Sequence, residues 1–392
     1  MILAHKIQLD PTYAQARDFR RACGVARYTW NWALEQMQTS YKETGKSPKI
    51  SDLKKRWNQE KPDWVYESPR DANSQPFANL QKAYSNFFAK RAKLPTFKSK
   101  HKNRSSFYVA NDRFKLEGKK VSLPKIGWVR LTEELRFEGK ILSGVVSERA
   151  GRWYISIQVD TPPKPQGNPG KEILGIDFGL KTFMTLSTGE KIEAPLPLKK
   201  GLKLLKRRSK QHSRKKKGGK NREKSRQRLA RTHKRIADQR QDFIHKTTSR
   251  LVARTKLLVI EDLTLSGMTK LWGRKVSDLG ISETCRQLAY KCQANDVGLL
   301  QADRWYPSTQ LCCCCGGRQK LELDERTYAC PDCGNTADRD QNAAMNLKQI
   351  YTGGLPGIDA WGHEGSDYQH TLVVKPSWMN QELNPCTLVC TH

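Results

Sequence analysis

The chain has 392 residues, with 71 Lys+Arg against 39 Asp+Glu and a formal net charge of +32. Its apolar fraction of 37% supports packed cores, no run approaches the roughly 18 uninterrupted apolar residues of a membrane span, and Met1-Ile2-Leu3-Ala4-His5-Lys6 lacks the apolar stretch of a secretory signal. These numbers point to a soluble intracellular protein of two or three domains, and a charge spread along the whole chain favours nucleic acid over a membrane surface as its polyanionic partner.

Residues 1–9 alternate weakly, as a short strand would. From Tyr13 to about Lys42 the apolar residues Phe19, Cys23, Ala26, Trp30 and Ala33 recur three or four apart, which predicts a helix. Its segment Arg27 to Leu34 mixes aromatics with a cation and fits either an aromatic core or a base-stacking surface. Short helices and turns are expected over 43–75, then a second helix from about Pro76 to Lys93. Leu94 to Arg104 is a basic loop in which Lys98 and Lys100 are candidate phosphate contacts. Phe107 to Asp160 reads as short strands with turns at Glu117-Gly118, Glu138-Gly139 and Ala150-Gly151. Thr161 to Gly170 holds four prolines and two glycines and reads as a linker.

A buried strand, Ile173 to Asp177, opens the next section. Strands near 183–186 and 191–194 follow, a meander that fits an RNase H-like sheet. Between Lys199 and Arg250 stand 22 Lys/Arg and three acids. Leu229, Ile236, Phe243 or Ile244, and Leu251 recur at about seven residues, so a long helix is expected from about Arg222 to Arg254. Such an excess of cations suits phosphate contact better than a solvated face. Lys206, Arg207, Arg208, Lys215, Lys216 and Lys217 lie in its densest part. Leu257 to Glu261 is another buried strand, Ile281 to Val297 a helix, and Leu299 to Tyr306 a further strand. Arg339 to Ile350 is a short helix. Beyond Tyr351 the composition turns acidic and rich in Gly and Pro, as in a poorly ordered tail.

Two constellations carry chemistry. Six of the 11 cysteines fall between Cys312 and Cys333, and the clustering together with an odd total argues for a metal site rather than disulfides. Cys312-x-x-Cys315-Gly316 and Cys330-x-x-Cys333-Gly334 are separated by 14 residues. Two such turns close a tetrahedral four-sulfur site for structural zinc, with no position open for catalysis. A short hairpin over Leu321 to Tyr328 would join them. Cys313 and Cys314 compete for the register, and the following glycine favours Cys312 and Cys315. The second constellation is three acids at element ends: Asp177, Glu261 and Asp340. Converging carboxylates of this kind bind two divalent cations for phosphodiester hydrolysis, and oxygen ligands favour Mg²⁺ or Mn²⁺.

Ile176-Asp177-Phe178-Gly179-Leu180-Lys181-Thr182, Val259-Ile260-Glu261-Asp262-Leu263, the two cysteine pairs, and Asp338-Arg339-Asp340-Gln341-Asn342-Ala343-Ala344-Met345-Asn346-Leu347 stand in the order seen in TnpB (OrfB) proteins. The resemblance covers about residues 1–350, and Arg27 to Leu34 and Pro95 to Lys100 also look like that family. It implies an RNA-guided DNA endonuclease encoded by a bacterial insertion sequence and related to type V CRISPR effectors. One nuclease site would cut both strands of target double-stranded DNA. Its guide would be a transposon-derived RNA, its target would carry a short adjacent motif, and its setting would be cytoplasmic and nucleoid-associated. The implied fold is multidomain α+β. A wedge β-barrel would take 1–10 and 104–168, a helical recognition domain 11–103, and a RuvC/RNase H-like α/β nuclease 171–308 and 335–352. A zinc-ribbon target-binding module would take 309–334 and a flexible tail 353–392. The family pattern maps the catalytic acids onto Asp177, Glu261 and Asp340, choosing Asp340 over Asp338. A departure is Cys313-Cys314, where the family usually has Ser and a variable residue. A nuclease-inactive guided DNA-binding protein or repressor, and a transposase, are the competing readings.

Overall fold

The computed structural model describes residues 2–100, 103–162, 171–263, 265–322, 324–352 and 371–374. The chain divides into two compact units, Met1–Pro163 and Lys164–His392.

In the first unit, β1 (Ile2–Asp10) leads into helix α1 (Tyr13–Thr44). The helix starts there because Thr12 and Gln15 form a reciprocal capping box: Thr12 Oγ1 accepts from Gln15 N at 3.3 Å, and Gln15 Oε1 from Thr12 N at 3.0 Å. Helices α2 (Ile50–Glu60) and α3 (Arg70–Phe88) follow. Then come β2 (Ser106–Ala110), β3 (Lys115–Glu117), β4 (Lys120–Leu123), β5 (Gly127–Leu131), β6 (Lys140–Arg149) and β7 (Arg152–Asp160). The strands form one antiparallel sheet, ordered β2-β6-β7-β1-β5-β4-β3. The first strand of the chain thus lies between β7 and β5, with Ile2 opposite Asp160 and Leu9 opposite Leu131. Phe19 of α1 packs on Trp153 and Phe107 with ring centroids 5.0 and 6.0 Å apart, which seats the helix on the sheet. Trp30 is buried, and Trp32 packs against Trp57 and Phe77. The core reading therefore holds for these two, while Tyr28 stays exposed.

Helix α3 corrects one expectation. It begins at Arg70, and Pro76 sits inside it, rather than starting it. A proline in a helix loses its N–H bond and crowds the carbonyl four residues back, and tertiary burial of Ala72, Pro76, Phe77 and Leu80 outweighs that cost. The linker expected at 161–170 lies almost wholly outside the described residues.

In the second unit, β8 (Glu172–Asp177), β9 (Met184–Leu186) and β10 (Lys191–Ile192) form the expected meander. Helices α4 (Pro197–Ser213) and α5 (Lys220–Arg254) pack side by side. Next come β11 (Thr255–Glu261), α6 (Leu265–Leu279), α7 (Ile281–Ala294) and β12 (Gly298–Ala302). The chain continues through β13 (Thr327–Ala329), β14 (Thr336–Asp338), α8 (Arg339–Thr352) and β15 (Thr371–Val374). The sheet order is β10-β9-β8-β11-β12-β15, with β8, β11 and β12 parallel. Leu174, Ile176, Leu258, Ile260 and Leu299 share one core with residues of α5 and α7, and Leu257, Val259 and Leu300 another with Leu347 of α8. Both faces are covered, which is why the strands read as unbroken apolar runs.

Three expectations change here. Helices α4 and α6 were not foreseen. The short hairpin is not over 321–328 but between β13 and β14, around the second cysteine pair. Finally, the tail is not merely an appendage, since its residues Thr371–Val374 pair antiparallel with β12. The rest of the expected tail, 353–370 and 375–392, lies outside the described residues. No helix among the described residues is long and apolar enough to cross a membrane.

Candidate active site and metal centre

Asp177 is the last residue of β8 and Glu261 the last of β11. The strands are parallel, with Ile176 opposite Ile260, and neighbouring strands lie about 4.8 Å apart. Both carboxylates therefore leave the same end of the sheet, where ligands of open α/β sheets bind. The two carboxylates are near enough for the charge of Glu261 to act on Asp177, and Glu261 Oε1 accepts from Phe178 N at 3.3 Å. Asp340 is the second residue of α8. Helix α8 can reach the sheet because position 175 is glycine: a Cβ there would stand 1.9 Å from the Ala344 carbonyl oxygen. Burial, then the Glu261 and Asp340 charges, push the Asp177 carboxyl well above the ordinary carboxylate range. Burial raises Glu261 too, with Asp340 adding to it and the Phe178 N–H opposing. Three acids thus stand close enough to repel one another at one edge of the sheet, Asp177 buried and the other two half-buried, a place suited to cations.

Asp338 does something else. Its Oδ1 accepts from the backbone N–H of Asp340 and Gln341, both at 3.1 Å, and its Oδ2 pairs with Lys191 Nζ at 2.7 Å. Against the cost of burial, Lys191 and those amides hold its carboxyl low. It is the cap of α8. Asp262, beside Glu261, is taken up by Gln301 and Arg304 at 3.0 and 2.6 Å.

The sulfurs of Cys312, Cys315, Cys330 and Cys333 all lie within 4.8 Å of one another. Cys312 Sγ is 3.7 Å from Cys333 Sγ, and Cys315 Sγ 3.5 Å from Cys330 Sγ. A tetrahedron with metal–sulfur bonds near 2.3 Å has edges of about 3.8 Å, so the set fits one ion. Gly316 and Gly334 adopt φ of +76° and +72°, and their N–H groups bond the carbonyls of Cys312 and Cys330 at 2.9 and 3.0 Å. The N–H groups of Cys314 and Gly317 point at the sulfurs of Cys312 and Cys315, both at 3.4 Å. Although burial opposes it, the amides of Cys315 and Cys314 bring the Cys312 thiol down to about 7. Burial instead pushes Cys313 up to about 11, and Cys314 is exposed. Neither belongs to the four.

The cationic candidates divide. Lys206, Arg207, Lys215, Lys216 and Lys217 are exposed on α4 and the turn after it. Arg208 points inward and donates to the Thr232 hydroxyl and the Arg228 carbonyl of α5. Lys100 is exposed, whereas Lys98 lies over the Trp30 ring, 3.6 Å from its centroid. Asn31 holds the Lys98 backbone at both ends, at 2.8 and 2.9 Å. The sequence reading missed Gly175, Lys191, Asn342, Asn346 and Gln349. The last three had a signal, polar residues repeating at helical spacing.

This is a multidomain fold of mixed α/β architecture. The chain belongs to the OrfB (TnpB) family. The family profile OrfB_IS605, described as "Probable transposase", matches residues 156–271, and a Cas12f1-like TNB domain profile matches 282–347. A profile described as a helix-turn-helix domain matches 1–46, but that segment forms β1 and one continuous helix. "Putative RNA-guided DNA endonuclease" of Streptomyces pristinaespiralis is 36% identical over 88% of this chain and 88% of its own. "Putative RNA-guided DNA endonuclease InsQ" of Escherichia coli is 32% identical over 88% and 91%. Among solved structures, Cas12f1 in its complex with single-guide RNA and target DNA superposes with a TM-score of 0.52 at 14% identity, covering 86% of this chain and 82% of that one. That likeness is one of fold.

Proposed function

We propose that the protein is an RNA-guided DNA endonuclease in which Asp177, Glu261 and Asp340 hold divalent cations for phosphodiester hydrolysis. One observation carries the assignment. A buried carboxylate, Asp177, and a half-buried one, Glu261, end adjacent parallel strands, and a third opens the helix packed across them. Oxygen donors alone suit Mg²⁺ or Mn²⁺, and such ions supply an activated water and stabilise the departing 3′ oxygen. The chain's own part is to orient the acids: the Phe178 N–H fixes Glu261, and the cap at Asp338 fixes the start of α8.

The four cysteines hold zinc as a structural ion, on the fit of their spacing and the amides turned toward them. Residues 1–10 and 104–168 are read as a wedge β-barrel, 11–103 as a recognition insertion, and 171–308 with 335–352 as a RuvC-like nuclease. The knuckle within 309–334 would contact target nucleic acid. The guide is a transposon-derived RNA, and the exposed Lys206, Arg207 and Lys215 to Lys217 take its phosphates or those of the target.

The test begins with sequencing the RNA that co-purifies with the protein. A plasmid carrying the matching target beside a randomised flank is then offered with Mg²⁺. Cleavage that selects a short flank and disappears in Asp177→Ala is expected. Absence of a discrete RNA, or cleavage that survives Asp177→Ala, would sink the reading.

A further inference from the structure

Helix α8 is gripped from two sides. Ala343, Ala344 and Leu347 are wholly buried, and Ala344 lies against Gly175 of β8. Its other buried side chains include two amides, Asn342 and Asn346, both fully enclosed. With Gln349 they fall at i, i+4 and i+7, one stripe of the helix.

All three reach the backbone that leads into the first cysteine pair. Asn342 Nδ2 donates to the Leu311 carbonyl at 2.6 Å, and its Oδ1 accepts from Cys313 N at 2.9 Å. Asn346 Nδ2 donates to the carbonyls of Ser308 and Leu311 at 2.7 and 2.8 Å. Gln349 Nε2 donates to the Cys313 carbonyl at 2.7 Å. Leu311 and Cys313 flank Cys312, so the grip straddles one thiol of the metal centre. Enclosing an amide carries a desolvation cost that an apolar side chain of the same size avoids. What the amides add is direction: they admit one placement of helix against knuckle. Asp340 stands two residues before Asn342 on the same rigid element.

We infer that Asn342, backed by Asn346 and Gln349, is a positioning residue that couples the cysteine knuckle to the carboxylate site, so that the metal-bound knuckle sets where Asp340 stands. This rests on the nuclease reading of Asp340 given above. Outer partners that orient a ligand typically govern about 10–100-fold in metal affinity or activity.

The full-length protein with its guide RNA is compared with Asn342→Ala in two measurements. One is Mn²⁺ binding by electron paramagnetic resonance without target DNA. The other is zinc release to a chromogenic chelator. Expected are Mn²⁺ affinity weakened by about 10–100-fold, faster zinc release, and cleavage that recovers as Mn²⁺ is raised. A folded Asn342→Ala with wild-type Mn²⁺ affinity overturns the coupling. Wild-type protein stripped of zinc is a second arm that needs no variant to fold. It should show the same weakening, and unchanged Mn²⁺ affinity there also overturns the inference. Asp340→Ala separates the two readings. If it binds Mn²⁺ and cuts like wild type, the carboxylate assignment fails. If it is inactive while the other two proteins bind Mn²⁺ normally, only the coupling fails.

Discussion

Asp338 and Asp340 stand two residues apart and carry different loads. Asp338 spends both oxygens inside the protein, on two amides and on Lys191. Asp338→Ala should therefore cost stability, about 0.5–2 kcal/mol for a lost helix cap, and lower cleavage far less than loss of Asp340 does. Denaturant unfolding and a plasmid assay report the two effects separately. Asp340→Ala should do the reverse, as should Asp177→Ala and Glu261→Ala. Each is expected to lower the cleavage rate by at least about 10²–10³-fold while guided binding persists, and pairs of them should be no worse than singles because such residues act as a unit. A variant of any one that cuts at the wild-type rate in Mg²⁺ removes that residue from the site. Among the cysteines, Cys312, Cys315, Cys330 or Cys333 changed to Ser should each release zinc. Changing Cys313 and Cys314 together should keep it, because Cys314 is exposed and Cys313 is held through its backbone N–H and carbonyl. Metal analysis by mass spectrometry decides, and zinc loss in the double variant would shift the register.

At the scale of elements, the contact between α8 and β8 hangs on Gly175. Alanine there would place its Cβ 1.9 Å from the Ala344 oxygen and 2.7 Å from Lys348 N, both backbone atoms that cannot swing aside. The helix must shift, at a cost of about 1–3 kcal/mol for overpacking, and Asp340 shifts with it. Gly175→Ala is expected to fold with a lower denaturation midpoint and to lose most cleavage; wild-type turnover would show that α8 need not sit so close. Nothing in the sequence alone marked this glycine, since a close approach leaves its reason on the partner helix. The strands were legible because β8, β11 and β12 are covered on both faces, and β8 and β11 read as apolar runs ending in acids. The four cysteines were legible from spacing and a following glycine. Helices α4 and α6 were not: α4 shows lysines and arginines outward, and its start is fixed by a distant carboxylate. Asp278 accepts from the N–H groups of Leu198 and Lys199, both at 3.0 Å. Pro76 misled in the other direction, since proline in a first turn is a better rule of thumb than proline in a helix interior.

For the whole molecule, a net charge of +32 should make the proposed binding to RNA and DNA steeply salt-dependent. Each phosphate contact contributes a slope of roughly 0.9 on duplex DNA and 0.7 on single strands. Replacing Lys215, Lys216 and Lys217 by Gln should flatten the logarithmic salt slope by about two to three without altering target preference. Wild-type affinity and slope would leave that turn a merely soluble surface. Arg208 should be spared, because it ties α4 to α5 and its loss would loosen the helix pair instead. The sheet of the second unit also has a consequence in time. Its parallel centre joins residues 172 to 302, its covering helix arrives at 339, and β15 at 371–374 adds the last strand beside β12. A ribosome making this chain must pass residue 374 before that sheet can close. The first unit is complete once β7 meets β1 at Asp160. The protein is therefore born in two instalments: a finished N-terminal body waits while the second unit is made, and the acidic edge forms only after α8 has been synthesised. Stalled nascent chains ending near residue 330 should yield a protease-resistant fragment of the first unit and none of the second.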